Sequence, residues 1–96
     1  MSDARRDLEF AQELAKLLGE LRRSSGMSQA SLAAETGLDQ AAVSRVETAH
    51  RRLTVSETLQ WLDALGCDLD DALSRVAELW RRHASRPPTF WEDSNG

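Results

Sequence analysis

The sequence predicts an all-α domain, a bundle of five helices. Three observations point there. Apolar residues recur at three- and four-residue steps, as in Leu14, Leu17, Leu18 and Leu21. No stretch shows the two-residue alternation of β-branched and aromatic residues that a half-buried strand needs. The periodic runs are also separated by helix-specific punctuation, with capping residues in front and glycine or proline behind.

The first helix is expected over residues 3–24, with Phe10 and Ala11 extending the leucine stripe by one turn and Gly26 supplying a left-handed stop. The second covers 29–35, with Ser28 as its N-cap, and Gly37 breaks it. The third covers 40–47 behind the N-cap Asp39. The fourth starts after Thr54, where Thr54-Val55-Ser56-Glu57 reads as a capping box, and it ends near Gly66. The fifth follows Asp68 and runs to about His83. Pro87-Pro88 prevents further helix, so 1–83 form the domain and 84–96 a tail. The connection between the second and third helices is about three residues, which forces a sharp corner rather than an antiparallel hairpin.

Composition narrows the function. At 41% hydrophobic and 29% charged residues, the chain is an ordinary globular one, with no apolar run long enough to span a bilayer. MSDARRDLEF lacks the apolar core of a signal peptide, so the cytoplasm is the expected compartment. Cys67 is a single cysteine, expected as a small buried residue after a helix rather than a metal ligand. The net charge of −4 argues against a protein that coats nucleic acid indiscriminately. Its distribution says more. Residues 40–55 hold Arg45, Arg51 and Arg52 against Glu47, a local +2, whereas 56–80 sum to −5. A small basic face on an acidic body favours one docking orientation toward a polyanion. Paired His, Asp, Glu or Cys spacings and phosphate loops are absent and the histidines are only His50 and His83, so an enzyme, a cofactor or a metal site is not expected.

The stretch QASLAAETGLDQAAVSRVET carries the sharpest signal. Ala33 stands where the second helix would touch the third, and a larger side chain would push them apart. Gly37 supplies the positive φ that the corner needs. Leu32, Thr36, Leu38, Val43 and Val46 are the inward residues, leaving Gln40, Ala41, Ser44 and Arg45 as a short outer face with one cation. Such a face fits a groove.

These residues, with Leu21-Arg22 and Gly26-Met27-Ser28-Gln29 upstream and Arg45-Val46-Glu47 and Leu59 to Leu65-Gly66 downstream, resemble the helix-turn-helix of phage repressor and Cro-type regulators, the XRE family. The resemblance covers about residues 10–70 and implies a lambda-repressor-like, DNA-binding fold. The family follows its third-helix glutamate with Asn-Gly, where this chain has Thr48-Ala49; the third helix is therefore expected to continue for a residue or two.

The resemblance places Gln40, Ala41 and Arg45 at base-reading positions. The chemistry agrees: glutamine pairs with adenine N6 and N7, arginine with guanine O6 and N7, and alanine meets a thymine methyl. Gln29 matches a phosphate-contacting glutamine at the positive end of the second helix, beside Ser28. Ser44, Thr48, Arg51 and Arg52 flank the groove as expected backbone contacts. Arg22 and Glu47 match the family's salt bridge between the first helix and the end of the third, which is a structural role.

The fifth helix carries a second apolar stripe. Leu69, Leu73, Val76 and Trp80, with Trp91 in the tail, are candidates for a subunit or partner interface, where aromatic residues are enriched; folding back on the same domain is the competing expectation. The expected function is sequence-specific binding to double-stranded DNA as a transcriptional regulator, chiefly a repressor, acting as a homodimer on a palindromic operator. Ninety-six residues leave no room for a separate sensing domain, so control is expected from a partner, concentration or proteolysis. An antitoxin that binds both operator and toxin is the nearest alternative, a restriction-modification controller another, and a protein-interaction adaptor without DNA binding a third. No membrane partner is expected.

Overall fold

The computed structural model describes residues 3–83, with side chains from Arg5 onward. These residues form five helices: α1 (Asp3–Ser25), α2 (Gln29–Thr36), α3 (Gln40–Glu47), α4 (Val55–Ala64) and α5 (Leu69–His83). The all-α expectation holds, and each helix boundary falls within two residues of its sequence signal. Ser28 Oγ accepts from Ser31 N–H, Asp39 Oδ1 from Ala42 N–H, and Asp68 Oδ1 from Asp71 N–H, so each cap satisfies a first-turn donor that its helix leaves open. Both halves of the Thr54–Glu57 capping box are present.

The core is built where the helices cross. Leu32, Val43, Trp61 and Leu62 are fully buried, joined by Leu18, Ala33, Val46, Leu65 and Ala72. Each fully buried leucine or valine contributes about 1.5–3 kcal/mol relative to an exposed one. α2 packs on α3 and α4, α1 on α3, and α5 on both α1 and α4. Ala33, on α2, is buried in that core. Gly37 turns the corner at φ 77°, and its N–H closes on Ala33 C=O.

α5 runs back along α1. Trp80 meets Phe10 edge-to-face at 5.1 Å, and His83 Nδ1 lies 3.9 Å from Glu9 Oε1. The α5 stripe therefore divides. Ala72 and Leu79 are buried and Leu69 packs against the core, whereas Leu73 and Trp80 keep 38% and 40% of their exposure. Leu69 is partly buried, because the first turn of α5 packs against the core. Trp91 lies outside the described residues. Cys67 is half-buried against the core. Among the described residues no helix is long and apolar enough to cross a membrane.

Candidate nucleic-acid interface

The buried edge of α3 (Ala42, Val43 and Val46) anchors it beneath α2. A helix fixed by that edge must present the opposite one. Gln40, Ala41 and Arg45 are all exposed there, and Ser44 is half-exposed between them. The Arg45 guanidinium makes no ion pair or hydrogen bond among the described residues, so it is available to an external acceptor. The sequence placed these three residues on one outer face, and the structure brings them together.

A polar cluster behind this face holds α3 at its C-terminal end. Arg22 Nε donates to Glu47 Oε2 at 2.6 Å and Arg22 Nη2 to Glu47 Oε1 at 3.1 Å, a two-pronged ion pair between α1 and α3. The two side chains retain 12% and 8% of their exposure. Arg22 Nη1 also donates to Met27 C=O at 2.9 Å, which ties the α1–α2 connection into the same cluster. Burial opposes the charge on Glu47, but the hydrogen bonds from Arg22 and Gln29 and the charges of Arg22 and Arg23 outweigh it, holding the carboxyl below its ordinary range. The Glu47 hydrogen bond, working against burial, likewise holds Arg22 above its usual value.

Two members of this arrangement escape a reading of the sequence. Gln29 Nε2 donates to Glu47 Oε1 at 3.1 Å, so the side chain expected at a phosphate is engaged with the salt bridge. That link locks the start of α2 to the end of α3. Gly19 is buried where α1 passes Glu47, and a Cβ there would sit 3.4 Å from Glu47 Cδ and 3.1 Å from Arg23 Nη1. A lone glycine inside an otherwise periodic helix was the available signal.

The flanking residues sort differently. Ser28 and Thr48 are exposed at the two helix ends. Ser28 caps α2, while the backbone N–H groups of Gln29 and Ala30 lack a preceding turn to satisfy them. Thr48 Oγ1 donates back to Ser44 C=O at 3.1 Å. Arg51 is engaged: its Nη2 lies 3.2 Å from Glu57 Oε2. Hydrogen bonding from the Thr54 backbone, then from Arg51, holds the Glu57 carboxyl below its ordinary range. Arg52 is exposed and makes no ion pair among the described residues.

The expectation that α3 continues past Glu47 is corrected. Thr48 caps it with φ −104°, and Ala49 turns left-handed at φ 64°. The N–H groups of His50 and Arg51 then both fold back onto Arg45 C=O, at 2.8 and 3.1 Å. The chain must leave α3 sharply to reach α4, and that geometric demand persists although alanine replaces glycine at the turn.

The profile of the helix-turn-helix family matches residues 18–71, from the middle of α1 into α5. No curated protein matches the chain. Among solved structures, the restriction-modification controller protein C.AhdI from Aeromonas hydrophila is 31% identical with a TM-score of 0.57, covering 68% of this chain and 92% of its own. The controller protein C.Esp1396I, solved as a tetramer on its natural 35-base-pair operator, is 20% identical with a TM-score of 0.66, covering 74% and 93%. The clp gene regulator ClgR from C. glutamicum is 20% identical with a TM-score of 0.65, covering 74% and 91%. With its cornered α2–α3 pair, buried α3 edge and a family match over more than half its length, the chain belongs to the XRE-type helix-turn-helix family of DNA-binding regulators.

Proposed function

We propose that this chain represses transcription by binding a palindromic double-stranded operator as a homodimer in the cytoplasm. α3 enters the major groove and α2 crosses the phosphate backbone. The observation that carries the reading is the outward, unpaired face of Gln40, Ala41 and Arg45 on a helix whose opposite edge is buried. Arg45 reads guanine, Gln40 reads adenine and Ala41 meets a thymine methyl. Phosphate is held by the open N–H groups at the start of α2, by Ser28, Ser44 and Thr48, and by Arg52. Gln29 and Arg51 orient these groups through Glu47 and Glu57 and reach phosphate only at the margin.

A recognition helix of eight residues covers few base pairs, so useful specificity calls for two copies. Half-sites then lie about 34–36 Å apart, one turn of DNA, or a multiple of it. The half-exposed edge of α5 formed by Leu73, Val76 and Trp80 supplies the surface between copies. The controller protein solved as a tetramer on its operator supports such an assembly.

The test is selection of bound sequences from random duplex DNA at two salt concentrations. A palindromic motif whose affinity falls steeply with salt is expected. The Arg45→Ala variant should fold normally and lose about 1–3 kcal/mol of affinity for the selected site, with specificity relaxed at one base pair per half-site. Failure of the wild-type chain to enrich any motif would reject the reading.

A further inference from the structure

The turn that ends α3 carries a histidine whose ring is oriented by the helix itself. His50 N–H donates to Arg45 C=O at 2.8 Å, which sets its backbone against the last turn of α3. Its ring Nδ1 lies 3.0 Å from Thr48 Oγ1. The Thr48 hydroxyl has Ser44 C=O at 3.1 Å and Arg45 C=O at 3.3 Å as acceptors for its own proton. With that proton sent to a carbonyl, Thr48 Oγ1 offers the ring a lone pair, and Nδ1 meets it as an N–H donor. The other ring nitrogen, Nε2, makes no hydrogen bond among the described residues, and the side chain is exposed.

A ring that donates through Nδ1 has two states. Neutral, it presents a lone pair at Nε2, which repels a phosphate oxygen. Protonated, it presents an N–H and a positive charge there, and it keeps the Thr48 bond. Only the imidazolium therefore fits an anion at this position. The charged side chains flanking it are Arg45 and Glu47 on α3, Arg51 and Arg52 in the connection, and Glu57 in the first turn of α4. Glu47 is committed to Arg22 and Gln29, and Glu57 to Arg51. Arg45 and Arg52 make no ion pair among the described residues. Asp7 of α1 lines a groove with Ala49, Arg51 and Arg52, and His50 is not part of that lining. Both flanking acids are thus taken while two flanking cations are free, a setting that draws an anion from outside the domain.

We propose that His50 is a further phosphate contact, made as the imidazolium, so that each chain takes up a proton when it binds DNA. The contact rests on the DNA-binding function proposed above, in which Thr48, the ring's partner, already flanks the backbone. Histidine ordinarily changes charge between about pH 5 and 8. The complex holds more protons than the free chain, so by linkage its affinity rises as pH falls through that range.

The test is titration of the full chain with the duplex enriched by the selection, at about pH 6 and about pH 8 and at several salt concentrations. Wild type should bind several-fold more tightly at the lower pH. His50→Gln keeps an N–H for Thr48 but carries no charge. It should bind equally at both pH values, and at the lower one its slope of log affinity against log salt should be shallower by about one per bound chain. His50→Lys, charged throughout, should show the steeper slope at both. His83→Gln, which alters the other histidine, should keep the wild-type pH dependence. Calorimetry at about pH 7 in two buffers of different ionisation heat should report proton uptake by wild type and none by His50→Gln. All three positions lie away from the core, and circular dichroism checks that the variants fold. A gain at low pH that persists in His50→Gln overturns the proposal, as does one that disappears in His83→Gln. Tight wild-type binding that ignores pH rejects the proton-linked contact alone. A chain that binds no duplex at either pH rejects the DNA-binding function, and the contact falls with it.

Discussion

Glu47 concentrates the fold's electrostatics in one side chain. Its carboxylate joins α1 through Arg22 and α2 through Gln29 while itself belonging to α3. Replacing Glu47 by Gln leaves Arg22 charged, little exposed and without its counter-charge, at a cost of about 3 kcal/mol in denaturant-induced unfolding. The pH dependence follows from the sign of the shift. The folded carboxyl titrates below its ordinary value of 4.5, so its contribution is complete above that pH. It is lost as pH falls through the lowered folded-state value. Wild-type stability should decline below about pH 4.5 more steeply than that of Glu47→Gln, measured by urea unfolding at a series of pH values. Ala49 gives the opposite kind of prediction. An L-residue in the left-handed region costs about 1–2 kcal/mol, and glycine escapes this at some cost in unfolded-state entropy. Ala49→Gly should therefore raise stability by about 0.5–1 kcal/mol, read as a higher urea midpoint at unchanged slope. Gln29 shows where residue-level reading stopped. Its position at the start of α2 was visible, but its partner is 18 residues away, and no local signal names a partner at that distance.

The elements were legible because each carries its own punctuation. Ser28, Asp39, Thr54 and Asp68 all act as caps where the sequence put them, since capping is a short-range bond between a side chain and a first-turn N–H. The α3 cap bears on function as well as stability. Asp39 holds the turn that contains Gln40 and Ala41 through a 2.7 Å bond to Ala42 N–H. Asp39→Ala should cost about 1 kcal/mol in stability, and it should weaken specific DNA binding by fraying the end of the recognition helix. Hydrogen exchange localised to residues 40–43 separates that fraying from global unfolding. The end of α3 was less legible. Thr48-Ala49 has no strong stop in its composition, and the stop comes from the path that leads on to α4. Trp61 in α4 is fully buried in the core. Its indole N–H has no acceptor among the described residues, so the position uses the ring's volume rather than its polarity.

At the scale of the molecule, the proposed dimer on DNA draws on the charge pattern and on the edge of α5. Residues 40–54 carry Arg45, Arg51 and Arg52 against Glu47, whereas 55–83 carry six acids against Arg75, Arg81 and Arg82, so an approaching duplex is drawn to the α3 side. The α5 edge is only half covered by its own domain. Leu73, exposed and seven residues from Trp80 on the same side of the helix, is a site where charge opposes association without opening the core. Leu73→Glu should shift the monomer–dimer equilibrium toward monomer by tenfold or more, measured by sedimentation, with helical content unchanged. A homodimer of unaltered affinity in this variant would move the interface to another surface.

The sequence by itself determined the five helices, their caps, the α2–α3 corner and the outward set Gln40, Ala41 and Arg45, because helix periodicity and capping are set by residues three or four apart. Only the tertiary structure decided that Gln29 braces Glu47, that Arg51 is held by Glu57, that Leu69 turns inward while Leu73 and Trp80 stay half-exposed, and that a groove opens beside Ala49. Each of these depends on which helix passes beside which. That is fixed by how side chains from distant parts of the chain fill the common core, and local spacing does not record it.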